Sequence, residues 1–328
     1  MRAASVVIPT YNREQQLVET IEYVLATPYP DFEVIVVDQT DEHTPEVAAA
    51  LEEFQHDDRL TYIQLPIANL PLARNVGLNE AQGDVIIYVD DDVELDPDFV
   101  AAHVKRYADA SVGAVAGRII TPNVGPDENS SGALAGRPRP GRLRVDGNHE
   151  SHFNQTAYTG DVEWGQGCNM SFRRTALVES GAFDERFTGN AFHEEVDAFV
   201  RVRDQGYRAV FEPEARLVHL KEATGGCRSQ QDQVEYLCTV YRNQSLFYFK
   251  NQGWTGWMRY TRHRFLAMYS AMRIHDLPIT ALGRFMQAHG MGVRAAYRDD
   301  PRGLTRQLRH QQTFPGPTEQ TSVSEVAA

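Results

Sequence analysis

The sequence predicts an α/β chain in which helices flank a mostly parallel sheet, followed by a C-terminal helical extension. Three observations carry that expectation. Short β-branched runs alternate with amphipathic segments through the N-terminal third. Polar clusters follow those runs directly, where ligands sit in open α/β sheets. Beyond residue 226 the pattern turns helical and the charge changes sign.

Strands are predicted at 4–8 (ASVVI), 33–37 (EVIVV), 60–64 (LTYIQ) and 84–89 (DVIIYV). Such runs without polar alternation suit strands covered on both faces. Helical segments at 13–26, 43–55 and 70–81 separate them, and this order implies parallel strands joined by right-handed crossovers. Thr10-Tyr11-Asn12, Asp38 and Asp90–Asp92 then share one rim of the sheet. "LDPDF" (95–99) reads as a helix start, with Asp96 as N-cap and Pro97 in first position of a helix to about residue 109. Residues 122–160, rich in Gly, Pro, Asn and Ser, read as a long lid-like surface excursion. "WGQGCNMSFRR" (164–174) restores order as a turn, a small-residue strand and a helix start. A helix at 193–205, strands at 208–211 and 216–219, a Gly-containing loop at 221–231, helices over 230–310 and a disordered tail at 311–328 complete the chain.

At 328 residues there is room for one large domain with an appendage. The reading assigns 1–225 to a catalytic domain, with halves 1–120 and 121–225, and 226–310 to a basic aromatic extension. Cys168, Cys227 and Cys238 have neither disulfide-framework nor metal-ligand spacing, which favours a reducing, cytoplasmic compartment. No signal peptide is apparent, since the run Ser5–Pro9 is too short and reads as a strand. No stretch approaches the roughly 20 apolar residues that span a bilayer. The net charge of −13 hides an asymmetry. Residues 241–310 hold 12 Lys+Arg against 3 Asp+Glu, a balance of +9, whereas residues 1–240 balance to −20 and the tail to −2. No nucleic-acid-binding motif accompanies the basic part, so nucleic acid is not an expected partner.

Asp90, Asp91 and Asp92 end a buried-looking strand. Adjacent carboxylates near a core persist when positive charge sits among them. In an extended segment Asp90 and Asp92 point one way and Asp91 the other. A divalent cation bound with a ligand's phosphates suits that arrangement, and a solvated acidic turn is the alternative.

"SVVIPTYNR", "VIVVDQTDEHT", "LPLARNVGLNEAQGDVIIYVDDDVELDPDFV", "GCNMSFRR", "GAFDER…HEEVDAFVR" and "ARLVHL" occur in the order that resembles family 2 glycosyltransferases, over roughly residues 4–222. The resemblance implies the GT-A fold, a Rossmann-like sheet, and inverting transfer from a nucleotide-diphosphate sugar with Mn²⁺ or Mg²⁺. It implies nucleotide-sugar contacts from Pro9, Thr10, Asn12, Arg13, Asp38, Arg74, Asp90 and Asp91. It makes Asp90 and Asp92 the ends of the family's Asp-x-Asp cation motif, with His219 near cation or diphosphate. Family members carry a Glu-Asp pair whose second acid is the base; here Glu194-Glu195 stands in its place, so Glu195 is the first candidate and Glu194 the second. Trp164 and Gly167 are expected on the acceptor side, Lys221 and Arg228 on a closing loop, and Cys168 as a packing residue.

Processive synthases of this resemblance add membrane spans and a Gln-x-x-Arg-Trp motif; neither is found, favouring single-sugar transfer to a saccharide or lipid-linked acceptor. The aromatic, basic extension, with Trp254, Trp257, Tyr260 and Phe265 among Arg259, Arg262 and Arg264, either rests peripherally on the inner face of a membrane, packs on the core, or dimerises. A non-catalytic sugar-nucleotide-binding scaffold is the competing class. A nucleotidyltransferase would need a Gly-rich basic loop that is absent.

Overall fold

The computed structural model describes residues 3–122, 139–145, 147, 149–154, 158–221, 225–226, 232–274, 277–298 and 300–310. Part of the expected lid (123–138), Arg228 and the tail from 311 lie outside the described residues.

The N-terminal half runs β1 (Ala4–Thr10), α1 (Gln15–Leu25), β2 (Phe32–Asp38), α2 (Pro45–Phe54), β3 (Leu60–Gln64), α3 (Leu70–Glu80) and β4 (Val85–Val89). β1 lies between β2 and β4, parallel to both, and β3 extends the sheet beyond β2. Every residue of β1 and β4 is buried, which accounts for their unalternating apolar runs.

Past β4 the sheet becomes mixed. Its order is β3-β2-β1-β4-β8-β6-β9-β5, with the short β7 (Gly160–Asp161) on β9. β5 is Val93–Leu95, β6 Val112–Ile120, β8 Asn169–Arg173 and β9 Arg208–His219. β8 runs antiparallel to β4 and β6. The two strands expected at 208–211 and 216–219 are one strand with a register shift. Gly117 pairs with Glu212 and the next residue, Arg118, with Arg216, so 213–215 bulge.

α4 spans Phe99–Arg106 and starts later than "LDPDF" predicts, with Asp98 in the N-cap position. Asp96 does not cap it by side chain; its carboxylate pairs with Arg216, while its carbonyl accepts the Phe99 N–H at 3.0 Å. α5 (Arg174–Glu179) and α6 (Glu194–Asp204) complete this half.

The extension comprises α7 (Gln233–Ile274), broken at Gly253 where φ is +65°, then α8 (Thr280–Arg298) and α9 (Gly303–His310). It is bound to the first half by charge as well as by apolar packing. Lys250 Nζ donates to Asp184 Oδ2 at 2.6 Å and to Asp197 Oδ2 at 2.8 Å, and Asn251 Nδ2 reaches Asp197 Oδ1 at 2.9 Å. Arg201 reaches the same Asp197 at 2.8 Å, the i,i+4 pair that the spacing suggests. Phe247, Tyr248 and Tyr260 are buried in the main core, whereas Trp254, Met258 and Phe265 remain exposed.

Candidate active site

The carboxyl ends of β1, β4 and β9 meet the amino end of α6 around a cleft of about 530 Å³. Its wall includes Pro9, Thr10, Arg13, Arg74, Asp90–Asp92, Gln166–Cys168, Glu194, Glu195, His219 and Lys221. Most of the predicted site residues therefore converge on one space.

The acidic triplet lies between β4 and β5, where the chain bends at Asp91 and Asp92, and its carboxylates divide between two sides. Asp91 turns toward β1, where Thr10 Oγ1 donates to it at 2.7 Å and Arg13 Nε at 3.0 Å. Burial pushes its carboxyl up to about 7, with Arg13 and Thr10 opposing the shift and the neighbouring aspartates adding to it. Asp90 and Asp92 turn toward β9. His219 Nε2 lies 3.1 Å from Asp92 Oδ1 and 3.7 Å from Asp90 Oδ2. Burial opposes charge on His219, but the Cys168 sulfur and the two carboxylates outweigh it and raise the imidazole pKa. Arg13 also donates to Asp92 Oδ2 at 3.1 Å, so one guanidinium spans two members of the triplet.

This donor set fits a divalent cation. One ligand atom each from Asp90, Cys168 and His219 lies within 4.8 Å of the others, and Asp92 adjoins the same imidazole. Oxygen ligands supplemented by phosphate suit Mg²⁺ or Mn²⁺.

Arg74 forms the opposite wall. Only 1% exposed, it lies within 6.0 Å of the Tyr88 ring centre and 5.6 Å of that of Phe183, and donates to the Gly167 carbonyl at 3.3 Å. Its guanidinium is ion-paired with Glu194, which is 2% exposed, and stands 3.8 Å from Asp90 Oδ1. A Cβ on residue 167 would sit 2.5 Å from Arg74 NH2, so glycine there sets the distance between turn and guanidinium. Glu195 is only partly buried and lines the cleft. Burial raises its carboxyl to about 7, Arg74 pulls it down, and Asp90 pushes it up.

Non-glycine residues in left-handed backbone surround this space: Asn12 (φ +53°), Ala191 (+50°), His193 (+74°) and Lys221 (+56°). Each such conformation costs about 1–3 kcal/mol and persists where the surroundings hold it. Asn12 is held by its N–H to Thr40 Oγ1 at 2.8 Å, and the Gly226 N–H meets the Tyr11 carbonyl at 2.7 Å. A Cβ at Gly225 would lie 2.4 Å from the Asn12 carbonyl, so this part of the loop after β9 rests directly on the β1 turn.

Three predicted residues are off this wall: Asn12 is exposed beside it, and Asp38 and Trp164 sit elsewhere. Asp38 is fully buried behind the cleft wall, its oxygens taken by the Thr40 N–H (2.7 Å), Tyr62 hydroxyl (2.9 Å) and His43 Nε2 (2.6 Å). Its neighbour Gln39 faces the cleft instead. Trp164 is not on the cleft wall: it is 6% exposed, packs edge-on against Phe153 and donates its indole N–H to the Arg142 carbonyl. The aromatic rings that do line the cleft are Tyr11, Phe192 and Tyr236, the last from the first turn of α7. Phe192 adjoins "HEE" and was within reach of the motif; Tyr236 carries no local signature.

Fold and cleft together define a GT-A-type α/β protein with an acidic cleft at the carboxyl ends of its strands. The chain matches Glycosyl transferase family 2 over residues 5–179 and belongs to that family. It is 28% identical over 227 residues, 66% of this chain and 68% of the relative, to a glucosyl-dolichyl phosphate glucuronosyltransferase of Haloferax volcanii. It spans only 16% and 25% of the length of two longer curated relatives, one of them Glycosyltransferase GlyA of Streptococcus pneumoniae. Among solved structures, S. aureus TarS 1-349 in complex with UDP-GlcNAc superposes with a TM-score of 0.61 at 16% identity, over 90% of this chain and 81% of that one. The Pyrobaculum calidifontis mannosyltransferase PcManGT, in complex with GDP-Man and Mn²⁺, gives 0.53 at 17% identity over 96% and 81%.

Proposed function

We propose that the chain catalyses cation-dependent, inverting transfer of one sugar from a nucleoside-diphosphate donor to a saccharide or lipid-linked acceptor in glycan biosynthesis. The observation that carries this reading is the two-sided cleft, with Asp90, Asp92 and His219 on one wall and Glu195 on the other.

Asp90, Asp92 and His219 would hold Mn²⁺ or Mg²⁺, whose charge offsets that of the departing diphosphate. The cation in the PcManGT complex supports that choice. Thr10 and Arg13 fix Asp91, and through it the turn that carries the two cation-facing aspartates. Arg74, held by Glu194, presents a rigid guanidinium beside Asp90 for the donor. Lys221 is exposed on the cleft rim and supplies a further positive group for phosphate. Glu195 takes the proton of the acceptor hydroxyl as that oxygen bonds to the anomeric carbon. The bond from that carbon to the diphosphate breaks on the opposite face, inverting the centre and releasing the nucleotide. Glu194 does not serve as base, because proton uptake there would break its pair with buried Arg74.

A lipid-linked acceptor is supported by the wording of the Haloferax relative's name and by the extension. Trp254, Met258, Arg262 and Phe265, spaced i, i+4, i+8 and i+11, are all exposed and form one stripe. Such a stripe suits an anionic membrane interface. No helix among the described residues is long and apolar enough to cross a membrane.

The test is a thermal-shift panel of UDP, GDP, dTDP and their sugars with and without Mn²⁺. A cation-dependent rise with one nucleotide, lost in Asp92→Ala, is the expected result. Folded protein that responds to none of them overturns the reading.

A further inference from the structure

We infer that Cys168 is a further protein ligand, beside Asp90, Asp92 and His219, for the cleft cation, and that its sulfur shifts the site's preference toward a borderline-soft ion such as Zn²⁺ or Co²⁺ relative to Mg²⁺. This rests on the cation site proposed above and adds a donor that the Asp-x-Asp pattern does not contain.

The sheet register brings the three side chains together. β4 and β8 pair antiparallel with Val89 opposite Asn169, so the next step outward sets Asp90 opposite Cys168. β5 pairs with β9 through Val93 and His219, which returns the imidazole to the same end of the sheet. Three strands distant in sequence thus deliver a carboxylate, a thiol and an imidazole whose ligand atoms lie within 4.8 Å of one another. A tetrahedral ion with oxygen, nitrogen and sulfur ligands separates them by roughly 3.5 Å. The Asp90–His219 separation of 3.7 Å already matches. Cys168 is 5% exposed yet lines the cleft, with its sulfur within 4.8 Å of a His219 ring nitrogen. A cysteine serving only to fill space would be indifferent to the identity of the cation. Here the thiolate and imidazole favour the softer ion, whereas Mg²⁺ selects oxygen. On binding, the metal–sulfur bond replaces the S–H bond and the proton passes to buffer, with no change of oxidation state.

The test is a Co²⁺ titration of the full chain, with and without UDP or GDP, followed by absorption. Co²⁺ gives visible ligand-field bands in any low-symmetry site and a near-ultraviolet thiolate-to-cobalt band only with a sulfur ligand. The expected result is both features in the unmodified chain, loss of the near-ultraviolet band in Cys168→Ser and its retention in Cys238→Ser. Zn²⁺ affinity should fall in Cys168→Ser by about tenfold or more beyond any fall in Mg²⁺ affinity. Cys168→Ala repeats the measurement should the serine variant fail to fold. Ligand-field bands without the near-ultraviolet band, or with that band intact in Cys168→Ser, overturn the sulfur ligand and leave the cation site standing. No cobalt spectrum under any of these conditions overturns both.

Discussion

Glu194 and Glu195 are adjacent acids with opposite expected responses to the same substitution. Glu195→Gln removes the proposed base while keeping shape and hydrogen-bonding capacity. A positioned general base contributes about 10²–10⁴-fold, so kcat should fall by that range while donor affinity changes little. With its carboxyl held near pH 7, roughly half is ionised at pH 7 and a tenth at pH 6, so the unmodified rate should climb with pH and level off by about pH 8. Stability runs the other way. A carboxyl whose pKa is raised by folding favours the native state while protonated and loses that contribution as pH rises through about 7. The glutamine variant should therefore melt no lower than the parent at pH 8. Glu194→Gln instead strands the guanidinium of Arg74, which is 1% exposed. Leaving one member of a buried ion pair uncompensated costs about 3–5 kcal/mol. Its signature is a lowered melting temperature along with lowered activity. Single-turnover transfer and thermal melts from pH 5.5 to about 8.5 measure both variants. A Glu195→Gln enzyme with the parent's rate and pH profile, or a Glu194→Gln enzyme that melts normally and loses only rate, would refute the assignment.

Lys250→Met should destabilise by about 2–3 kcal/mol, less than a fully broken buried pair, because Arg201 still serves Asp197 and Arg186 still serves Asp184. Both aspartates are held below the usual carboxylate range despite burial, Asp197 by Arg201 and Lys250, Asp184 by the Arg186 hydrogen bond and Lys250. Their stabilisation is thus fully present above that range and lost as pH falls through their lowered values, which acid melts of parent and variant will compare. Gly167→Ala forces a Cβ within 2.5 Å of Arg74 NH2 and should weaken cation-dependent donor binding while far-ultraviolet dichroism stays unchanged. Trp254→Ser with Arg262→Glu should reduce co-sedimentation with phosphatidylserine vesicles at low salt; equal sedimentation would remove the membrane stripe from the reading.

The parts of this fold that could be read from sequence are those where burial and chemistry coincide locally. β1, β2 and β4 announce themselves because both faces are covered and β-branched residues fill them. β6 escapes the pattern because two glycines, two alanines and Arg118 break up the Val and Ile residues of "VGAVAGRII", although nearly all of it is buried. β9 reads as two strands in the sequence because its bulge holds Pro213-Glu214-Ala215. The opposed facing of Asp91 and its two neighbours is what an extended segment would give, and it holds although the chain bends at Asp91 and Asp92. The partners of each carboxylate did not, since Thr10, Arg13, Cys168 and His219 come from separate strand ends. Trp164 shows the converse: a lone aromatic beside a Gly-rich turn suggested an exposed wall, but nonlocal packing against Phe153 buries it.

The charge asymmetry then has a partly internal explanation. Lys250 neutralises Asp184 and Asp197, and Arg302 lies 3.3 Å from Glu185, so positive charge of the extension is set against acids of the first half. Asp197 belongs to α6, the helix whose first turn presents Glu195, and Tyr236 of α7 stands in the cleft wall. The extension therefore both buttresses the helix of the proposed base and shapes the space in front of it. Arg259 and Arg262 are left exposed beside Trp254 and Phe265, on the segment after Gly253. Division of the basic residues between an inner buttress and an outer stripe predicts separable losses: substitutions at Lys250 should lower melting temperature and transfer together, whereas substitutions on the stripe should spare both with a soluble acceptor and diminish transfer only when the acceptor is embedded in vesicles.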